Sequence, residues 1–276
     1  MREFYLVDEV GSTFTFDHKT KVLFTEVEGI GIERDNTYMN FDGTYKLVKR
    51  ESPLGSISAM LIFLNGYSGY TEFLNFLKKN TGSLRLFYKA DNLKYVFVEL
   101  KILNKTELES GVLKCSVEFD KLSMWQNRVT KTISVNENDS NKVFPFTYPY
   151  TYSISFNGEI NVTNQGCYKA PVKVEITGKT NNPIVEIYKN DTLISKLRLL
   201  ISTTNTTDKI IVNSIPTEQE ITLYVGDDST DIYGNQDFNC DNFLYIPVGS
   251  YKIKFDPGVS DKTNCKITFI EMYEGN

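Results

Sequence analysis

The segment Leu113-Lys-Cys-Ser-Val-Glu-Phe119 alternates strictly between apolar and polar residues. Successive side chains of a β-strand point to opposite faces, so this pattern predicts a strand that is buried on one face only. The same period of two recurs in residues 172–177 and 251–255. The 17 Tyr and 18 Phe residues also favour β-strands. The dominant period therefore predicts an all-β fold.

Turn-forming residue pairs separate these runs along the chain. They include Asp-Gly at 42–43, Asn-Gly at 65–66 and 157–158, and Pro-Gly at 257–258. Many short strands at such a spacing predict β-sandwiches or barrels. With 276 residues, of which 41% are apolar, the chain has room for two domains with their own cores.

Residues 68–80 depart from the period of two. Tyr70, Phe73 and Leu77 follow the spacing of one helical stripe, and Ser68 is placed to cap the first turn. We expect a helix over about 68–80 that covers one face or end of a first sandwich. Its simplest interpretation is a helix that packs on the core and has no further role.

A domain boundary is predicted after a polar stretch. Residues 136–141 read Asn-Glu-Asn-Asp-Ser-Asn. Residues 144–150 are rich in aromatic residues and contain two prolines, which disfavour a central β-strand there. We therefore expect one domain over 1–142 and a second over 143–276. The second contains no helical stripe and is predicted to be a pure β-sandwich.

Residues 29–46 form a long segment that mixes glycine and polar residues with Tyr38, Met39 and Phe41. Apolar residues that cannot all be buried within one domain indicate contact with another chain. An ordinary long loop explains the same composition, and the residues alone do not choose between the two.

The charge and the hydropathy exclude several classes of function. The net charge is −5, and no run of Lys or Arg suggests a stripe that neutralises phosphates, so sequence-specific nucleic-acid binding is not expected. No basic-then-apolar leader and no apolar run of about 20 residues is present, so we expect a product of the cytoplasm without membrane insertion.

No catalytic, cofactor-binding or metal-binding residue is predicted. The single histidine, His18, lies between two charged residues in an expected turn, where an exposed and idle side chain is the natural interpretation. Residues 29–31 lack the third glycine of a dinucleotide loop, and the acidic run 227–231 lacks the spacing of a calcium loop. Carboxylates brought together from different strands for glycoside hydrolysis cannot be seen in a sequence.

The cysteines form no Cys-x-x-Cys pair. Buried free thiols are the default for Cys115, Cys167, Cys240 and Cys265 in a cytoplasmic product. A disulfide between two of the last three is left open.

The order of several loose motifs resembles a known family. A Gly-Tyr-x-x-Phe-Leu-x-Phe-Leu helix at 69–77 precedes a strand hairpin and a strand that contains Trp125. The proline-aromatic linker 144–150 follows, and then Asn182-Pro-Ile-Val-Glu-Ile and a Phe-Leu-Tyr-Ile-Pro-Val-Gly segment at 243–249. This order is similar to that of siphophage distal tail proteins, the baseplate hub family, over nearly the whole chain.

The resemblance implies a structural role. Members form hexameric rings from an N-terminal β-sandwich with one helix, followed by a galectin-like C-terminal β-sandwich. The ring joins the tail tube to the tail-tip hub (tail-associated) protein, carries receptor-binding or other baseplate proteins, and passes DNA through its lumen. The expected location is the tip of the phage tail in the virion, after synthesis in the host cytoplasm.

The resemblance also implies an extended arm that contacts the neighbouring subunit. We place it at about 29–50, with predicted intersubunit residues Ile30, Ile32, Tyr38, Met39, Phe41 and Tyr45. The main alternative function is a carbohydrate-binding protein of two β-sandwiches. A cell-wall hydrolase whose carboxylates come from separate strands is the second alternative.

Overall fold

A computed structural model describes residues 2–53, 55–79, 82–135, 158–259 and 262–276. Within them, β-strands dominate and only one α-helix is present. The predicted all-β class with sandwiched sheets is confirmed. The chain divides into a first unit, Met1–Asn127 with Met272–Asn276, and a second unit, Arg128–Glu271. The predicted boundary at 142/143 lies outside the described residues and stays a prediction.

The first unit contains nine strands, the helix α1 and the start of a tenth strand among its described residues. Their bounds are β1 Glu3–Val7, β2 Thr13–Thr15, β3 Val22–Glu28, β4 Asp35–Phe41, β5 Thr44–Glu51, β6 Ser56–Phe63, α1 Tyr67–Lys79, β7 Leu84–Lys89, β8 Leu93–Lys105, β9 Leu113–Lys121 and β10 Trp125–Val135. Seven of these strands pair antiparallel in the order β2-β1-β7-β8-β9-β6-β3.

The long strand β8 is shared between two parts of this sheet. Its first half, up to Val98, pairs with β7, and its second half, from Val98 onward, pairs with β9. A register shift between Leu100 and Ile102 marks a bulge, which bends a strand and increases its twist. The two parts share one core, to which β1, β7 and the start of β8 contribute along with β6 and β9.

Helix α1 closes this core through an aromatic cluster. Phe73 is fully buried, with ring centroids 5.1 Å from Phe14, 6.2 Å from Phe16 and 6.1 Å from Phe63. The helix begins at Tyr67, one residue before the predicted start, so Ser68 lies inside its first turn instead of capping it. The sequence therefore predicted the helix correctly but placed its N-terminal boundary one residue too late.

The second unit contains the rest of β10 and twelve further strands among its described residues. Their bounds are β11 Gly158–Asn164, β12 Ala170–Gly178, β13 Thr180–Asn181, β14 Ile184–Lys189, β15 Thr192–Arg198, β16 Ser202–Thr203, β17 Lys209–Asn213, β18 Glu220–Val225, β19 Asp228–Asp231, β20 Tyr245–Ile246, β21 Gly249–Asp256 and β22 Thr263–Tyr273. A single 3-10 turn, Tyr233–Asn235, lies between β19 and β20. Strand β22 continues into the first unit.

Two antiparallel sheets enclose the core of this unit. One has the order β19-β18-β17-β12-β22, and the other has the order β11-β21-β14-β15. Val172, Val174 and Ile176 of β12 are buried, as their period of two predicts. Ile253 and Phe255 of β21 are buried in the same core from the other sheet. The second unit is thus a two-sheet β-sandwich.

Candidate assembly surface

Strands β4 and β5 form a hairpin, which we call the arm hairpin (residues 35–51). Within the described part of the chain, the two strands pair only with each other. Asp42 and Gly43 link them with φ angles of +48° and +85°. Two successive positive φ values are typical of a type I′ turn, which Asp-Gly adopts readily and which matches the twist of the flanking strands.

The arm hairpin carries apolar side chains on both faces. Tyr38 lies opposite Leu47, and Tyr45 is on the same face, two residues from Leu47. Met39 and Phe41 lie on the other face. Every residue of both strands is exposed, and Tyr45 has the largest exposed fraction of the apolar ones, 69%. The first unit therefore covers neither face of this hairpin.

A hairpin with no packed face is not expected to be stable by itself. A two-stranded hairpin without a packed face is at best marginally stable in water. A group of adjacent exposed apolar residues usually marks an interaction site. The arm hairpin therefore presents exposed apolar side chains on both faces, which makes it a candidate interaction surface.

The root of the arm hairpin is tied to residues that follow β22. The Asn276 backbone N–H donates to the carbonyl of Ile30 at 3.0 Å. Arg34 donates from Nε to a carboxylate oxygen of Glu274 at 3.1 Å and forms an ion pair with it. These contacts fix residues 30–34, which precede β4, against the body of the first unit.

The predicted arm residues fall into two groups. Tyr38, Met39, Phe41 and Tyr45 lie in the arm hairpin, and Ile32 is exposed just before it. Ile30 is half-buried and packs against the core of the first unit, so it belongs to the root. Whether these side chains contact another subunit stays a prediction.

Sequence reasoning missed two exposed apolar residues of the arm hairpin. Leu47 lies directly opposite Tyr38, and Val48 stands at the register shift of the hairpin. The alternation of residues 44–47 carried the signal for Leu47, since Tyr45 and Leu47 alternate with Thr44 and Lys46. The bulge at Val48 interrupts this alternation, so the sequence pattern did not indicate that Val48 is exposed.

A cleft of about 340 Å³ lies at the arm root within the first unit. Its lining includes Glu33, Lys121, Trp125 and Glu274. The Lys121 ammonium donates to the carbonyl of Gly29 at 3.2 Å, and Glu274 is engaged by the Arg34 guanidinium. Lys121 and Glu274 thus stabilise the local structure of the arm root.

The remaining candidates for chemistry lie apart from one another. His18 is exposed in a turn where Asp17 accepts N–H bonds from Lys19 and Thr20, both at 2.8 Å. The described residues contain no group of three His, Cys, Asp or Glu side chains arranged to hold a metal ion. All four cysteines of the chain lie in the described part and are free thiols, two of them buried: Cys115 and Cys265.

Residues 3–122 match the family described as distal tail protein, N-terminal domain. The first unit belongs to that family. The distal tail domain spans β1 to β9 and includes α1 and the whole arm hairpin. The resemblance inferred from the sequence is thereby confirmed for the matched residues.

Solved structures extend the likeness beyond the distal tail domain. A chain of the phage P2 baseplate in its activated conformation with calcium has a TM-score of 0.66 and 14% identity, with 100% of both chains covered. The SPP1 Dit protein, described as a hub adsorption apparatus of phages that infect Gram-positive bacteria, has a TM-score of 0.60 and 12% identity over 97% and 98% of the chains. Because these sequence identities are low, the matches show only that both units have the same fold as these proteins.

No curated protein sequence matches the chain significantly. None of the helices in the described ranges combines the length and the apolar character that a membrane span requires.

Proposed function

We propose that this chain is the distal tail protein of a siphophage and that its copies close into a hexameric ring at the tail tip. The first unit builds the ring, and the arm hairpin of each copy packs on the next copy. The ring connects the tail tube to the tail-tip hub protein. The observation that carries the proposal is a distal tail domain with a hairpin whose two apolar faces are both exposed.

A ring interface is heterologous, because each copy offers one patch to the copy before it and a different patch to the copy after it. The arm hairpin supplies one such patch. Its strands carry apolar residues on both faces, so burial in a neighbour stabilises it more than burial of a one-sided hairpin would. This matches a hairpin that is inserted between copies.

The galectin-like second unit is proposed to carry receptor-binding or other baseplate proteins. DNA passes through the lumen of the ring, and the first unit contains no run of three or more Lys or Arg residues to which phosphates would adhere. No catalytic role is proposed. The protein is made in the host cytoplasm and resides in the virion.

Mass measurement of the purified full-length chain tests the ring. Native mass spectrometry is expected to give an assembly of six times 31.6 kDa. The double variant Tyr38→Ser/Phe41→Ser removes one apolar group from each face of the arm hairpin and should give only smaller species. A single-copy mass for the unaltered chain at micromolar concentration would contradict the proposal.

The matched control is Val10→Ser/Leu108→Ser. Both residues are exposed apolar side chains of the first unit that lie in connections outside the arm hairpin. This variant should assemble like the unaltered chain. Thermal melting of all three proteins separates lost assembly from lost folding, because none of the four substituted positions belongs to the buried core.

A further inference from the structure

The negative charge of the chain is concentrated in one stretch of the second unit. Residues 210–251 contain seven of the 35 acidic residues and none of the 30 Lys and Arg residues. The rest of the chain therefore has 28 acidic against 30 basic residues, a net charge of +2. This stretch contains β18, β19, the 3-10 turn and β20.

The connection from β19 to β20 exposes aromatic side chains within this acidic stretch. Phe238 is 61% exposed, and its ring lies 6.0 Å from that of the exposed Tyr233. Leu200, also exposed, lies beside them because its N–H donates to the Asn235 carbonyl. With their acidic neighbours these residues form what we call the acidic aromatic surface: Leu200, Asp231, Tyr233, Asp237, Phe238 and Asp241.

Hydrogen bonds hold this connection firmly along the outer edge of β15. The Asp237 N–H donates to the Arg198 carbonyl at 3.0 Å, and the Asp241 N–H donates to the Lys196 carbonyl at 2.8 Å. The Asp241 carboxylate accepts the Lys196 N–H at 3.1 Å and the Ser195 hydroxyl at 2.6 Å. The exposed aromatic rings are therefore presented on an ordered scaffold, which lowers the entropy lost when a partner binds.

The nearby cations offset the negative charge of this surface only in part. Arg198 reaches Asp237 at 3.6 Å, whereas Lys196 is held by Glu186 at 3.0 Å. Backbone N–H donation from Asn239 is the main cause that lowers the pKa of Asp237, which keeps this carboxylate charged. The stretch that carries the rings therefore holds three carboxylates, with two cations, Arg198 and Lys196, near Asp237.

We propose that the acidic aromatic surface docks a second tail-tip protein through a positively charged patch that surrounds an apolar pocket. Aromatic side chains are favoured anchors of protein interfaces, and complementary charge directs the encounter. The acidic rim disfavours phosphate-rich partners such as nucleic acids and anionic lipid surfaces. The partner's location in the tail tip rests on the function proposed above.

The net charge of this chain argues against a second copy as the partner. Its exposed apolar arm hairpin carries three acidic and three basic residues between positions 35 and 51, so it has no net positive charge. Outside residues 210–251 the chain sums to only +2. The charge balance therefore favours a different polypeptide as the occupant.

Photo-crosslinking in assembled phage tails tests the docking. A benzophenone amino acid replaces Phe238 in the full-length chain, and tails are irradiated and analysed by gel and mass spectrometry. We expect a crosslink to a different tail polypeptide, within a Lys- and Arg-rich region. A product that contains two copies of this chain would overturn the proposal.

Charge variants give a second readout. Asp231→Asn/Asp237→Asn/Asp241→Asn removes the charges but keeps side-chain oxygens that can accept the local hydrogen bonds, and it should lower the crosslink yield at least about fivefold. The matched control Glu99→Gln/Glu107→Gln/Glu109→Gln removes three exposed charges from the first unit and should leave the yield unchanged. Equal yields for the two triple variants would contradict electrostatic docking.

The same gel separates the two proposals. If the chain is present in purified tails but gives no crosslink to another polypeptide, docking alone is overturned. If the chain is absent from tails, the proposed hub function fails, and the docking fails with it.

Discussion

Gly29 shows how one residue controls where the arm begins. It follows β3 with a φ of +79°, and a Cβ atom there would lie 2.0 Å from the Ser56 carbonyl oxygen. Only glycine combines this backbone conformation with such a close approach to a neighbouring strand. The direction in which the chain leaves β3 therefore depends on the absence of a side chain.

We predict that Gly29→Ala lowers the free energy of unfolding by roughly 2–4 kcal/mol, because a left-handed conformation and a backbone clash both oppose the methyl group. Urea unfolding measures this change. Gly31→Ala is the control, since its Cβ would meet no atom within 4 Å and its φ is ordinary. Equal losses for the two variants would refute this explanation.

The four thiols should differ in reactivity with a thiol reagent such as 5,5′-dithiobis-(2-nitrobenzoic acid). Burial raises the pKa of Cys115 and Cys265, so both should stay unmodified until the chain unfolds. Exposed Cys167 should react first, and Cys240 more slowly, because partial burial and Asp237 raise its pKa. Four equally fast thiols in the native protein would show that the two cores are open.

At the scale of elements, α1 contributes to stability mainly through Phe73. We predict that Phe73→Ala costs about 3–5 kcal/mol, because a fully buried ring is lost from an aromatic cluster. Phe76→Ala, on the same helix but only partly buried, should cost clearly less. Chemical denaturation of both variants tests the difference, and a reversed order would contradict the packing described here.

Local patterns explain which elements could be predicted. The stripe Tyr70, Phe73 and Leu77 depends only on residues three or four positions apart. The sequence therefore located α1 to within one residue at either end. Strand β9 was visible for the same reason, through its period of two. The hairpin turn at Asp42 and Gly43 was also visible as a dipeptide.

Non-local contacts account for what sequence reasoning missed. Nothing in residues 272–276 indicates that they join the first unit, since their partners Ile30 and Arg34 lie about 240 positions earlier. The split of β8 between β7 and β9 was equally hidden, because a bulge leaves little trace in composition. In the candidate surface, Tyr38, Met39 and Phe41 were identified, but the strand register that assigns them to faces needed the structure.

At the scale of the whole molecule, we expect the stability of the second unit to depend on pH through two carboxylates that form ion pairs with lysines. Burial raises the pKa of Glu186, but hydrogen bonds from Lys196 and Tyr188 outweigh it, and the pKa lies below its usual value. Glu175 behaves in the same way beside Lys266, at 2.7 Å. A lowered folded-state pKa means that the stabilisation is present above the unfolded-state pKa and is lost as the pH falls through the folded-state pKa.

We therefore predict that Glu186→Gln and Glu175→Gln each reduce stability by about 0.5–1 kcal/mol at pH 7 and by less near pH 3. Urea unfolding followed at both pH values measures the difference from the unaltered chain. Glu99→Gln is the control, because this exposed residue belongs to the first unit. A deficit that stays constant between pH 7 and pH 3 would exclude the ion-pair explanation.

The order of the chain through the two units has a consequence for biosynthesis. Residues 272–276 complete the first unit, and they leave the ribosome only after all of the second unit has been translated. Domains generally fold as units during synthesis. The contacts that fix Ile30 and Arg34 therefore form only after the second unit has been translated, so the root of the arm hairpin is secured late in synthesis.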